Sequence, residues 1–304
     1  MIDLDLAKER IIAEVDRRAD TLIEASHSIH GRPELKFEER HAHDVLTAIL
    51  EDEHLAPERG AFGLDTAFAA RAGRSGPTVA VLCEYDALPA LGHACGHNVI
   101  AAAGLGAGLA AAGLAEEMGG RVLILGTPAE EGGGGKILMA DQGAFDGVDA
   151  AMMVHPAGLD LRSMDAIAIQ TCLIEYRGRA AHAAAAPQQG RNALDAAVLG
   201  YLNVAALRQH IDPGERIHGI FLRAGDAANV VPASTTAEWY VRSPTAVRLE
   251  PLKERVAACL QAGATAAGCT MELTWKDPSY AELVDNDPFA DLYATNSARR
   301  GRDV

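Results

Sequence analysis

The chain has 304 residues, 49% of them hydrophobic and 23% charged, a composition that can bury a sizeable core and is not that of a disordered polypeptide. At ~100–200 residues per domain, this length predicts about two domains. A formal net charge of −15 excludes the basic footprint of a nucleic-acid binder and a polybasic membrane anchor. The five cysteines (Cys83, Cys95, Cys172, Cys259, Cys269) lie far apart with no CxxC pair. That argues against a zinc ribbon, a thioredoxin-type site and a disulfide scaffold, and predicts a reducing, cytoplasmic setting. The N-terminus, MIDLDLAKER, is charged from its third residue and does not read as a signal peptide.

Taken in order, residues 5–30 carry apolar side chains at near-helical spacing and predict one amphipathic helix, broken at His30-Gly31-Arg32-Pro33. A second helix is expected over Glu38–Leu55. TVAVLC (Thr78–Cys83) predicts a buried strand. The longest uncharged run, Val99–Ala115, is nearly all Ala and Gly. It is shorter than the ~20 apolar residues a membrane span needs and reads as a buried helix packed closely on a sheet. RVLILGT (Arg121–Thr127) predicts another buried strand, Lys136–Gln142 a short helix, and Ala150–Val154 a third buried strand. Strands alternating with helices, apolar on both faces, predict an α/β layer with a largely parallel sheet.

After about residue 165 the pattern changes. Strands over Ala166–Arg177, Ile217–Leu222, Thr235–Arg242 and Thr270–Trp275, with helices over Asn192–Gln209 and Val247–Gly268, give the order β-α-β-β-α-β of a ferredoxin-like domain. One last helix, Pro288–Arg299, is expected to be capped at Asn286 or Asp287. The predicted division is a first domain over 1–165, an inserted domain over 166–275, and a final segment over 276–304.

Chemistry-bearing side chains gather after the apolar strands of the first domain, where open α/β sheets build their sites. Thr78–Cys83 is followed by EYDALP and then HACGHN, in which Cys95 and His97 stand two apart. Alone, this segment reads equally well as a polar loop with an incidental cysteine. Arg121–Thr127 is followed by Pro-Ala-Glu130-Glu131 and four glycines. Neighbouring side chains diverge, so one Glu can hold a metal while the other faces a water it deprotonates; a solvated acidic turn is the plainer alternative. A phosphate loop is rejected, because GK[ST] is absent and two carboxylates repel a phosphate. His155 follows the third strand, and alone it would be structural. If the three strand ends converge, Cys95, His97, Glu131 and His155 form a mixed S/N/O ligand set suited to Zn²⁺, with Mn²⁺ possible. Glu130 is then the base, and Asp86 steadies a ligating imidazole through its other ring nitrogen. A Cys95 thiolate nucleophile with a His base is the rival use, but it leaves Glu130 and Glu131 without a role.

The motifs EYDALPALGHACGHN, GTPAEEGGGGK and His155-Pro156 resemble metallopeptidases of the aminoacylase and glutamate-carboxypeptidase group (family M-twenty), over roughly residues 10–295. The branch most similar is that of aminobenzoyl-glutamate hydrolase and the aminoacylase-one-like dipeptidases, and Asn98, where other branches carry Asp, agrees with it. The resemblance implies a zinc-exopeptidase-like catalytic domain with Cys95, His97, Glu131 and His155 holding metal and Glu130 as general base. It implies two ions in an intact member, with Zn first and Mn or Co as alternatives. It also implies an inserted lid and dimerisation domain, hence a homodimer, and a metal-dependent hydrolysis of amide bonds in small N-acyl amino acids, dipeptides or aminobenzoyl-glutamate-like substrates. GRAAHAA matches a family motif whose histidine, here His182, reaches an active site and hydrogen-bonds the oxyanion of the tetrahedral intermediate. Asn229 and Arg242 are weaker candidates for holding a substrate carboxylate, a task an Arg fork suits. Family members continue past the point where this chain stops and bring one more metal-binding His. No His follows His218 here. The expectation is therefore a shortened chain, and the alternative function is a catalytically impaired relative that dimerises or binds metal weakly.

Overall fold

In the computed structural model, which describes residues 3–304, the chain opens with two helices, α1 (Leu4–Arg17) and α2 (Ala19–Gly31), where the pattern predicted one. The break falls at Arg18, which leaves helical geometry at φ −98°. Its guanidinium is drawn inward, donating to the Glu14 carbonyl and carboxylate and to Glu53. Apolar periodicity runs on through this point, so the break is invisible to it. Helix α3 (Arg40–Asp52) buries Leu46 and Leu50.

The first sheet contains β1 (Glu58–Arg59), β2 (Phe68–Ala72), β3 (Thr78–Glu84), β4 (Arg121–Thr127) and β5 (Ala150–Met152), in the order β1-β2-β4-β3-β5. Strand β3 runs parallel to β4 and β5, whereas β2 joins β4 antiparallel. The strand β5 is a correction to the expected buried strand: it lies at the sheet edge, and Met152 is 42% exposed. Between β3 and β4 come α4 (His97–Ala112) and the short α5 (Ala115–Met118); after β4 come a single turn, α6 (Glu130–Gly133), and α7 (Gly135–Asp141).

The Ala/Gly composition of α4 has a steric cause. A Cβ on Gly104 would lie 2.3 Å from the Leu82 carbonyl oxygen, and one on Gly108 would lie 2.6 Å from Ile124 Cγ1. The helix backbone rests directly on β3 and β4, a spacing that larger residues would prevent. Cys83, Tyr85, Ala101, Leu105 and Ile124 share one core on this side, and Ala80, Leu82, Leu123 and Met139 share another on the opposite side.

The chain divides between Leu159 and Asp160 into two compact units. The second contains β6 (Ala168–Arg177), α8 (Ala193–Leu207), β7 (Arg216–Arg223), β8 (Ser234–Ser243), α9 (Ala246–Ala266) and β9 (Thr270–Trp275). Its antiparallel sheet has the order β7-β8-β6-β9, the ferredoxin-like arrangement. Buried and half-buried residues alternate along β6 and β8, as one covered face requires. Tyr176, Trp239, Val256 and Leu260 fill the core. Helix α10 (Asp287–Arg299) is N-capped by the Asn286 side chain, which accepts the Phe289 N–H. No described helix is long and apolar enough to cross a membrane.

Candidate metal centre

The parallel pairing of β3 with β4 and β5 brings three chain segments to one end of the first sheet. Register sets Glu84 beside Thr127 and Val81 beside Met152. The segments leaving these strands carry Asp86, Cys95 and His97; Glu130 and Glu131; and His155.

His97 is fully buried at the first position of α4. Its Nδ1 lies 3.1 Å from Asp86 Oδ1. An ionised carboxylate only accepts, so Nδ1 carries a proton, and in the neutral imidazole Nε2 presents its lone pair. That Nε2 has no hydrogen-bond partner. It lies 3.5 Å from Glu84 Oε2 and 3.9 Å from carboxylate oxygens of both Glu130 and Glu131. The other oxygen of Asp86 accepts the Glu131 N–H at 2.8 Å, so one carboxylate ties the imidazole to the acidic turn.

Cys95 Sγ stands 3.6 Å from His155 Nε2, while His155 Nδ1 lies 2.8 Å from the Pro156 carbonyl oxygen and donates to it. Gly96, between Cys95 and His97, sits at φ +82°, and an added Cβ would come 3.0 Å from Pro156 Cγ. This is a position only glycine fills without strain. Donor atoms of Cys95, His97 and His155 lie within 4.8 Å of one another, as do those of Glu84, His97 and Glu130.

The electrostatics of the site call for a cation. Burial, then the Glu131 hydrogen bond and the charges of Glu131, Glu130 and Glu84, push the Cys95 thiol up to about 12. Burial, joined by Glu84 and Glu131, raises the Glu130 carboxyl against the opposing pull of Lys136 and His97. For Asp86, burial alone would raise the pKa, but the His97 and Glu131 hydrogen bonds outweigh it and leave the carboxyl lowered. His97 is the converse: burial lowers it, and Asp86 with the nearby carboxylates wins, so its net shift is upward. Glu84 is 1% exposed, with one oxygen ion-paired to Lys136 and the other without a hydrogen bond. An orphaned imidazole nitrogen, an orphaned carboxylate oxygen and a thiol within reach of further carboxylates fit a divalent metal ion.

Of the residues singled out in the sequence, Asp86, Cys95, His97, Glu130, Glu131 and His155 come together here. His182, Asn229 and Arg242 belong to the second unit. There the exposed His182 accepts the Ala184 and Ala185 N–H groups on Nδ1, at 3.2 and 3.1 Å, and Asn229 O accepts the Ala183 N–H. Arg242 is half-buried, its guanidinium 5.9 Å from the Tyr240 ring centroid. Sequence reasoning did not single out Glu84 and Lys136. The available signal was a carboxylate closing an apolar strand, which is seldom buried without a partner.

Residues 80–303 match the pattern of peptidase family M20/M25/M40. The chain is 39% identical over 313 residues to the Xaa-Arg dipeptidase of Mus musculus, covering 98% of this chain and 73% of that protein. It is 33% identical over 280 residues to one of the two p-aminobenzoyl-glutamate hydrolase polypeptides of Escherichia coli (strain K12), covering 85% of this chain and 58% of that one. Among solved structures, the aminobenzoyl-glutamate utilization protein of Klebsiella pneumoniae matches with a TM-score of 0.77 at 21% identity, over 95% of this chain and 83% of that one. A dinuclear metal-binding peptidase of Bacillus subtilis matches with a TM-score of 0.69 at 22% identity, over 96% and 81%. At such identities the structural matches speak to the fold.

Proposed function

The chain belongs to peptidase family M20/M25/M40, and from that premise we propose that its first unit hydrolyses amide bonds in small N-acyl amino acids, dipeptides or aminobenzoyl-glutamate-like substrates. Cys95, His97, Glu131 and His155 hold the metal in this reading, with Glu84 as a further carboxylate beside His97. Zn²⁺ suits this mixed donor set, with Mn²⁺ or Co²⁺ as alternatives. A bound divalent metal supplies Lewis acidity toward the scissile carbonyl and lowers the pKa of an attacking water. Glu130 takes the proton of that water and passes it to the leaving amine; burial raises its carboxyl, which makes it the better acceptor in the first of these transfers. Asp86 holds His97 in the tautomer that leaves Nε2 free.

In this reading His182 is the donor to the developing oxyanion, as the family motif it matches implies. Its Nδ1 is occupied as an acceptor, so the proton sits on Nε2 and is available to donate. Asn229 and Arg242 hold a substrate carboxylate. The ferredoxin-like unit serves as lid and dimer interface of a homodimer, and five free cysteines suit a reducing cytoplasm.

The observation that carries the reading is His97: buried, fixed by Asp86 on one nitrogen and unsatisfied on the other, among three carboxylates. The experiment is hydrolysis of an Xaa-Arg dipeptide and of p-aminobenzoyl-glutamate by Zn²⁺-loaded protein, with and without chelator, alongside Glu130→Gln. Loss of the base is expected to cost about 10²–10⁴ in kcat. Activity that survives chelation and this substitution would sink the mechanism.

A further inference from the structure

Glu39 is an ionisable side chain that the mechanism above does not use, and it is fully buried. It lies just ahead of α3, far in sequence from the acidic turn. One oxygen accepts the Ala129 N–H at 2.9 Å and the other accepts the Thr66 hydroxyl at 2.9 Å. Thr66 is itself fixed, its carbonyl oxygen accepting the Tyr85 hydroxyl at 2.6 Å. A carboxylate is buried in this way only when its oxygens are well bonded.

Ala129 explains the need. It adopts φ 59° and ψ 46°, a left-handed conformation that costs a residue with a Cβ. This kink turns the chain out of β4 and delivers Glu130 and Glu131 to His97. Without Glu39, the buried Ala129 N–H would lose its partner and the strained conformer its support. The same segment grips the turn twice more. Lys36 Nζ donates to the Gly132 carbonyl at 3.0 Å, and the Phe37 ring lies so close that a Cβ on Gly133 would come 2.9 Å from it.

We propose that Glu39 is a positioning residue that clamps the left-handed turn carrying Glu130 and Glu131, an inference that rests on the reading of Glu130 as the base. The test compares Glu39→Ala, which removes both acceptors, with Glu39→Gln, whose carbonyl can still accept the Ala129 N–H. Amide exchange is followed by mass spectrometry in the metal-free protein, and kinetics are followed after Zn²⁺ loading. In Glu39→Ala, exchange over residues 127–135 is expected to rise about tenfold while α4 and α9 stay unchanged. On p-aminobenzoyl-glutamate or an Xaa-Arg dipeptide, kcat is expected to fall roughly ten- to a hundredfold with little change in KM, and Glu39→Gln to recover most of the loss. Added to Glu130→Gln, Glu39→Ala is expected to cost less than about twofold more, because both changes remove one function.

Unchanged exchange in the turn overturns the proposal, as does an equal rate loss in both backgrounds. Should Glu39→Ala fail to fold, Thr66→Val, which removes one donor and keeps the carboxylate, replaces it; accelerated exchange supports the clamp and unchanged exchange overturns it. If Glu130→Gln proves fully active while Glu39→Ala still loosens the turn, the clamp stands and the base assignment alone falls.

Discussion

Replacing Asp86 with Asn changes one atom, yet the geometry gives the amide no good orientation. Asp86 accepts on both oxygens, from His97 Nδ1 at 3.1 Å and from the Glu131 N–H at 2.8 Å. If the Asn carbonyl faces His97, its NH₂ opposes the Glu131 N–H, donor against donor, and the acidic turn loses its tie. If the amide flips, the NH₂ faces Nδ1, which must then become an acceptor. The proton moves to Nε2, the nitrogen proposed to hold the metal. Loss of such outer-shell support typically weakens metal binding about 10–100-fold, which is about 1.4–2.8 kcal/mol. The assay is Zn²⁺ competition against a chromogenic chelator, with circular dichroism as the folding control. A folded Asp86→Asn variant that binds Zn²⁺ within about twofold of the parent would refute the claim that the tautomer of His97 governs the site.

Gly104→Ala forces a methyl group to 2.3 Å from the Leu82 carbonyl oxygen and 2.9 Å from Cys83 Sγ. Backbone must move, so urea unfolding is expected to show a loss of about 1–3 kcal/mol. Glu53 is held below its ordinary value of 4.5 by its hydrogen bond to Arg18, which burial opposes and Arg17 reinforces. A lowered carboxylate contributes stability above the unfolded pKa and loses it as pH falls through the folded one. The melting-temperature advantage of the parent over Glu53→Gln is therefore expected to be full near neutrality and to shrink as pH falls below 4.5; a constant difference across that range would contradict the ion pair.

Much of this architecture is legible from residue pattern alone, and the failures have physical causes. Arg121–Thr127 and Thr270–Trp275 emerge as strands at their predicted bounds, because dense apolar or alternating residues end at turn formers. The strand β2 escapes notice. Its sequence, Phe-Ala-Ala-Arg-Ala, carries little β-branched signal, and its formation depends on pairing with β4 far along the chain. The interruption at Arg18 coincides with a half-buried ion-pair cluster, Arg18 with Glu14 and Glu53, that no hydropathy period records. At the site, parallel neighbours end side by side, so the segments that follow apolar strands bring Cys95, His97, Glu130, Glu131 and His155 to one place. Glu84 and Glu39 stayed hidden for a different reason. Each is defined by what it touches across space, and a lone acidic residue near a turn usually faces water.

The parallel ladder between β3 and β4 carries a further consequence. Cys83 and Tyr85 belong to the apolar core beside α4, and strand alternation turns Glu84, between them, out of that core toward Lys136 and His97 Nε2. Inserting or deleting a single residue within β3 would exchange these roles, burying a carboxylate among hydrocarbon and presenting a phenol where the carboxylate belongs. A change of two residues would leave every side chain facing as before. Tolerance of length variation in this strand therefore has a parity: odd changes erase the centre, and even ones can spare it.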